Sequence, residues 1–134
     1  MEKIVNNKKI LLEQAIESHQ KGQLSKAEFL YNTYLSNYPN DPNALHLSGV
    51  LKIQLKKVTE GIDRIKKAIK IKKDFPQALS NLGKILCDIG DNKSGSLAYS
   101  QSVRQDNKNE VVWNSLAVSF FNDQNYSAAI NTIH

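Results

Sequence analysis

Residues 78–83 have the sequence ALSNLG, and residues 44–49, which lie 34 positions earlier, have the related sequence ALHLSG. The same interval separates the small residues of two columns, namely Ala15, Gly49, Gly83 and Ala117, and then Ala27, Gly61, Gly95 and Ala129. Large apolar residues follow this period too, as in Leu11, Leu45, Leu79 and Trp113. The chain is therefore an array of 34-residue repeats, and this period decides the fold.

The two columns of small residues predict a pair of closely packed helices in each repeat. Two helices approach closely only where the side chains between them are small. Apolar residues at helical spacing on either side of the columns indicate helix, short turn and antiparallel helix. We therefore predict an all-α fold with helices near 8–21, 24–38, 42–55, 58–73, 76–89, 92–106, 110–123 and 126–134.

Turn-forming residues fit these limits. Asp41 precedes Pro42, which gives an N-cap carboxylate followed by proline at the first helical position. Gly22 and Gly90 lie where first helices should end. The predicted organisation is a frayed lead-in at 1–7, then repeats at 8–41, 42–75 and 76–109, and an incomplete repeat at 110–134.

The repeats resemble the tetratricopeptide repeat, whose pattern is W-x2-L-G-x2-Y followed by A-x3-F and P. The fourth repeat is the most similar, with Trp113, Leu116, Ala117 and Phe120 at the matching positions. The resemblance covers residues 8–134 and implies a right-handed α-solenoid of antiparallel helix pairs, about 3.7 repeats of 34 residues. Tyr34 and Ser102 occupy a column where the family prefers alanine, so we expect the first repeat to splay from the second.

The resemblance also implies a function, because first helices in this family line a concave groove that binds protein segments. The groove residues expected from this mapping are amides, hydroxyls and aliphatics with one cation: Asn43, His46, Leu47, Val50, Gln77, Ser80, Asn81, Lys84, Val111, Asn114, Ser115 and Val118. Amides can pair with both N–H and C=O of an extended backbone. The expected partner is a protein or peptide, and the pattern does not match the carboxylate-clamp co-chaperones.

A narrower resemblance implies an alternative to the function of a protein-binding scaffold. The segments at 44–51 and 78–83 are similar to the N-terminal repeat arms of bacterial glycosyl-, sulfo- and methyltransferases, including relatives of protein O-linked N-acetylglucosamine transferases. This chain would then be a substrate-recognition or oligomerisation arm, with the catalytic domain outside it.

No pattern in the sequence indicates chemistry within the chain itself. His19, His46 and His134 fall in different repeats, without cysteine or carboxylate at metal-ligand spacing. Cys87 is the only cysteine and has no histidine near it in sequence. We expect no metal, no cofactor and no enzymatic activity.

The segment 52–73 contains nine lysine or arginine residues and only two acidic ones, whereas the remainder of the chain carries a net charge of −2. Such a block is either a solvated helix face or a surface for nucleic acid or anionic lipid. It contains no aromatic residue, which makes nucleic acid a less favoured partner.

The expected location is the cytoplasm, since we find neither a secretory signal nor a long apolar segment. The fourth repeat ends before its second helix is complete, leaving Ala129, Ile130 and Ile133 as its apolar positions. We expect this uncapped end to be covered by further chain or by self-association.

Overall fold

The computed structural model describes residues 2–123 and shows seven α-helices and no strand in that range. In chain order these are α1 (Glu2–Gln20), α2 (Leu24–Asn37), α3 (Pro42–Gln54), α4 (Val58–Ile71), α5 (Pro76–Asp88), α6 (Asn92–Gln105) and α7 (Glu110–Asn122). The prediction of an all-α fold is confirmed. The predicted eighth helix, with the apolar positions Ala129, Ile130 and Ile133, lies outside the described residues.

The first helix is longer than the sequence predicted. It begins at Glu2, six residues before the expected start, so the predicted frayed lead-in is helical. The other helices begin where the repeat pattern places them, because turns and caps recur at the same interval. At α3, for example, the Asp41 carboxylate accepts hydrogen bonds from the backbone N–H groups of Asn43 and Ala44, and Pro42 follows at the first helical position.

The first compact unit, Met1–Lys72, contains two antiparallel helix pairs, α1–α2 and α3–α4. The first pair crosses at Ala15 and Ala27, which are fully buried with Tyr31 and Leu51 in one cluster. The second pair crosses at two glycines, where a β-carbon added to Gly49 would lie 2.9 Å from the carbonyl oxygen of Gly61. The columns of small residues are therefore helix crossings, as predicted.

The second compact unit, Lys73–His134, contains α5, α6 and α7 among its described residues. Here α5 and α6 cross at Gly83, where an added β-carbon would lie 2.9 Å from the ring of Tyr99. Tyr99 forms a buried cluster with Val103, Val112 and Leu116. Trp113 packs against this cluster, and its indole nitrogen donates to the carbonyl of Asn107 (2.7 Å).

The two departures from the alanine column are buried and hydrogen-bonded. The hydroxyl of Tyr34 on α2 donates to the carboxylate of Asp41, the residue that caps α3. Tyr34 is almost fully buried and thus links the two helix pairs of the first unit. In the second unit, Ser102 on α6 donates to the carbonyl of Pro76 (2.8 Å), at the start of α5.

Candidate peptide-binding groove

The first unit places only some of its predicted groove residues at the surface. On α3, Asn43 is exposed, and Leu47 and Val50 are half-buried. His46 is 5% exposed, and burial, followed by the charge of Lys72, lowers its pKa to about 4. The imidazole is therefore neutral near pH 7 and is part of the packed interior. Leu47 likewise packs against the core cluster of this unit.

The second unit contains a well-formed groove between α5 and α7. Its volume is about 440 Å³, which is within the range of sites that bind small ligands or short peptide segments. The residues that line it are Lys84, Cys87, Asp88, Asn92, Tyr99, Val111, Asn114, Ser115, Val118, Ser119 and Asn122. Of the predicted groove residues, this set includes Lys84, Val111, Asn114, Ser115 and Val118.

The side of the groove on α7 alternates aliphatic and polar groups. Val111 and Val118 are 73% and 57% exposed, an unusual exposure for two valines on one helix face. Asn114 lies between them, and Asn122 lies one turn beyond Val118. This face therefore offers apolar contact area interrupted by amide donors and acceptors.

The lining of the groove also includes Tyr99 and Cys87, which the sequence analysis did not place there. Tyr99 on α6 lines the groove together with Ser115, and burial of its ring raises the pKa of Tyr99. Cys87 is half-buried, and its thiol pKa is raised, first by burial and then by Asp88 and Asp91. A thiol with a raised pKa is mostly protonated at neutral pH, so Cys87 is a packing group here.

The charged residues of the groove neutralise each other. The ammonium of Lys84 lies 3.2 Å from the carboxylate of Asp88, one turn away on α5, and both side chains are mostly exposed. The single cation expected in the groove is therefore already paired with an anion. The other predicted α5 residues, Gln77, Ser80 and Asn81, are not among those lining the groove.

Three of the nine basic residues of segment 52–73 contact side chains of α2 within the first unit. Lys52 is buried on α3, and its ammonium lies 3.0 Å from Glu28 and 3.1 Å from Glu60. Lys57 also pairs with Glu28 (3.1 Å), and Arg64 donates to the side chain of Asn32 (3.1 Å). These cations join the second helix pair to α2 of the first pair, so they are not available as a uniform polyanion surface.

Residues 2–123 contain no cluster of three metal-ligating side chains and no helix with the length and apolar character of a membrane span. His19, which the sequence left without a role, hydrogen-bonds to Tyr31 (3.2 Å) and Gln54 (2.6 Å). It thus connects α1 to the second helix pair within the first unit.

Solved structures with this arrangement of helices are similar to the chain over nearly its whole length. The crystal structure of MamA superposes with a TM-score of 0.88 at 16% identity, covering 95% of this chain and 74% of that chain. MamA 41-end from Desulfovibrio magneticus RS-1 gives a TM-score of 0.83 at 15% identity, covering 94% and 71% respectively. A Thermobaculum terrenum O-GlcNAc transferase mutant gives 0.80 at 21% identity, covering 87% of this chain but 22% of that chain.

No family model matches the sequence, and no curated protein matches it. The structural similarity nevertheless shows the fold, because the helix pairs agree at TM-scores well above chance. The fold is an α-solenoid of the tetratricopeptide type, built from antiparallel helix pairs.

Proposed function

We propose that this chain is a protein-binding scaffold and that the groove between α5 and α7 binds an extended peptide segment. The observation that carries the proposal is the combination of shape and lining in that groove. It has a volume of about 440 Å³, it contains two strongly exposed valines, and its amides alternate with them.

The spacing of these groups suits a polypeptide backbone. Val111 and Val118 are seven residues apart, which is about 10.5 Å along a helix axis. An extended segment spans this distance with about three residues, so one valine can contact the side chain at one end and the second valine the other end. Asn114 lies between them and can offer its amide to the N–H and C=O of the intervening residue.

Electrostatics favour an uncharged segment. Because Lys84 is paired with Asp88, neither a basic nor an acidic ligand side chain would gain an unpaired opposite charge there. We therefore expect a ligand with aliphatic and small polar side chains. Within the first unit, Asn43 and Val50 on α3 are proposed to contact a polypeptide ligand of that unit, whereas His46 is too buried to do so.

The proposal is tested by selecting binders from a displayed library of unstructured peptides and measuring the affinities of the selected peptides. Val118→Lys and Asn114→Ala are expected to weaken binding about tenfold or more, since each removes a central contact. The matched control is Leu97→Lys on α6, because Leu97 is 59% exposed and Val118 57%. We expect a change below about twofold for this control. Selection of no binder, or an equal loss in the control, would refute the groove assignment.

A second candidate function is favoured by the similarity to the O-GlcNAc transferase structure, of which the chain matches 22%. The chain would then be the recognition arm of a larger transferase, and the groove would hold the polypeptide to be modified. Immunodetection of the natural gene product with antibodies to this chain tests the idea. A product near the 15.1 kDa of this chain, with no linked catalytic domain, would exclude it.

A further inference from the structure

The first unit has a second concave feature, at the edge where α2 ends and α3 begins. This depression has a volume of about 440 Å³ and is lined by Lys8, Tyr38, Pro39, Asn40, Asp41 and Pro42. It lies at the turn between two helix pairs and shares no residue with the groove of the second unit. The depression is therefore a separate site with its own lining residues.

One lysine lines this depression, and a second contacts its wall from α4. The ammonium of Lys8 lies over the ring of Tyr38, 4.4 Å from its centroid. The ammonium of Lys67 on α4 donates to the carbonyl of Pro39 (3.2 Å), and Lys70 is exposed one turn further along α4. Among residues 7–123, none of these three lysines pairs with a carboxylate. Contacts with a ring and a carbonyl leave their positive charges uncompensated.

Two acidic residues lie in the same region, and one of them is already satisfied by donors. The carboxylate of Asp41 accepts hydrogen bonds from the N–H groups of Asn43 (3.0 Å) and Ala44 (3.4 Å) and from the hydroxyl of Tyr34. The second, Asp63, lies one turn before Lys67 on α4. Among these five residues the lysines outnumber the acids, which leaves a charge of +1 (3 − 2).

We propose that this depression binds an acidic polypeptide segment, with its carboxylates on Lys8, Lys67 and Lys70. Lysine ammoniums are compact charges that pair well with single carboxylates. Between the lysines, Tyr38, Pro39 and Pro42 form a wall against which an apolar side chain of the same segment packs. The site therefore selects an acidic segment that contains at least one apolar residue.

The same contacts disfavour nucleic acid as the occupant. Bases bind by stacking on exposed aromatic faces. Here the Tyr38 ring packs against Tyr34, with centroids 5.0 Å apart, and Lys8 lies over it. A base would therefore have to compete with Tyr34 and Lys8 for this ring. The concave shape of the site also differs from the flat contact that a lipid bilayer requires.

The test uses the full chain and a fluorescent, glutamate-rich peptide with one central leucine, measured by anisotropy at low ionic strength. The variant Lys8→Gln/Lys67→Gln is expected to weaken binding about fivefold or more, because two exposed charge pairs are lost. The matched control is Lys93→Gln/Lys108→Gln, which removes two exposed lysines from the second unit. We expect less than a twofold change for this control.

Because Lys67 donates to the carbonyl of Pro39, replacing it can weaken binding by destabilising the fold, and a second variant separates the two effects. Lys70→Gln removes a side chain that makes no hydrogen bond or ion pair within the described residues, and it should also weaken binding. Equal weakening by the matched control would overturn the proposal, since it would show a response to overall charge alone. Displacement of the peptide by oligothymidine of equal charge, or by phosphatidylserine vesicles, at the same charge concentration would overturn it as well.

Discussion

Lys56 adopts a backbone conformation that suits glycine better than lysine. Its φ is 66°, and the residues 34 positions before and after it, Gly22 and Gly90, have φ values of 77° and 94°. All three close the turn between the two helices of a repeat. A side chain in this left-handed region costs roughly 1 kcal/mol, which glycine avoids.

Replacement of Lys56 by glycine should therefore stabilise the protein. We expect Lys56→Gly to raise the free energy of unfolding by up to about 1 kcal/mol, reduced somewhat by the greater flexibility of glycine in the unfolded chain. Urea unfolding at constant m-value measures the change. The reverse control, Gly90→Lys, should lower the free energy of unfolding. Destabilisation by Lys56→Gly would contradict the role assigned to this turn.

The helix crossing in the second unit leaves no room for a side chain at Gly83. A leucine at Gly83 would be forced against the Tyr99 ring and the carbonyl of Gly95, since a β-carbon alone would lie 2.9 Å and 3.0 Å from them. We expect Gly83→Leu to lower the free energy of unfolding by at least about 1–3 kcal/mol, and Ala27→Leu to act similarly in the first unit.

The control for this overpacking is Lys66→Leu on α4. Lys66 is exposed and makes no hydrogen bond or ion pair within the described residues, whereas the neighbouring Lys67 donates to Pro39 and is a poorer choice. Thermal melting of the three variants compares them directly. Equal melting temperatures would refute the assignment of the small residues to crossing points.

For six of the seven described helices, the sequence predicted the first residue correctly, because caps and turns depend on local sequence. Asp41 and Pro42 mark the beginning of α3 through their own side chains and φ values. The start of α1 was misplaced because residues 2–7 precede the first repeat, so no column of the 34-residue period covers them. Periodicity contains no information outside the array.

The groove was only partly predictable, for a physical reason. Position within a repeat indicates which face of a helix a residue occupies, and Asn114, Ser115 and Val118 all line the groove between α5 and α7. It does not indicate how far neighbouring helices cover that face, so His46 was assigned to the groove although it is buried. For the same reason Tyr99 on α6 was not predicted as a groove residue, although it lines the groove.

The contacts between the helix pairs of the first unit should make stability depend on pH. Hydrogen bonds from Lys52 and Lys57 lower the pKa of Glu28. A carboxyl with a lowered pKa stabilises the fold above its unfolded value, near pH 4.3, and this contribution is lost as pH falls through the folded value. We expect Glu28→Gln to cost about 1–3 kcal/mol at pH 7 and to lose less stability than wild type on acidification.

The control residue for Glu28 is Glu17, which pairs with Lys21 at 2.7 Å. Both side chains of this pair are more than 60% exposed to solvent. Urea unfolding at neutral and acid pH distinguishes the two residues. Glu17→Gln should have a much smaller effect at pH 7, because solvent screens its ion pair. If both variants behave alike, burial beside Lys52 does not make the contribution of Glu28 to stability larger than that of the exposed Glu17.

At the scale of the whole chain, each compact unit has its own core, one around Tyr31 and Leu51 and the other around Tyr99 and Leu116. In repeat proteins, stability is a sum of terms from each repeat and its nearest neighbours. Partial unfolding should therefore be local to the unit in which a contact is broken. This expectation separates the chain from a globular domain with a single core.

Hydrogen exchange with mass spectrometry tests whether unfolding is local to one unit. It uses two variants that overpack the corresponding helix crossing in each unit. In the first unit, Gly49→Leu forces a side chain against Gly61, and in the second Gly83→Leu does the same against Gly95. We expect Gly49→Leu to accelerate amide exchange mainly in α3 and α4, and Gly83→Leu mainly in α5 and α6, because each disrupts a different core. Lys66→Leu should change neither pattern. If either overpacked variant accelerates exchange equally in all seven helices, the chain unfolds as one cooperative body, and the assignment of separate cores to the two units is wrong.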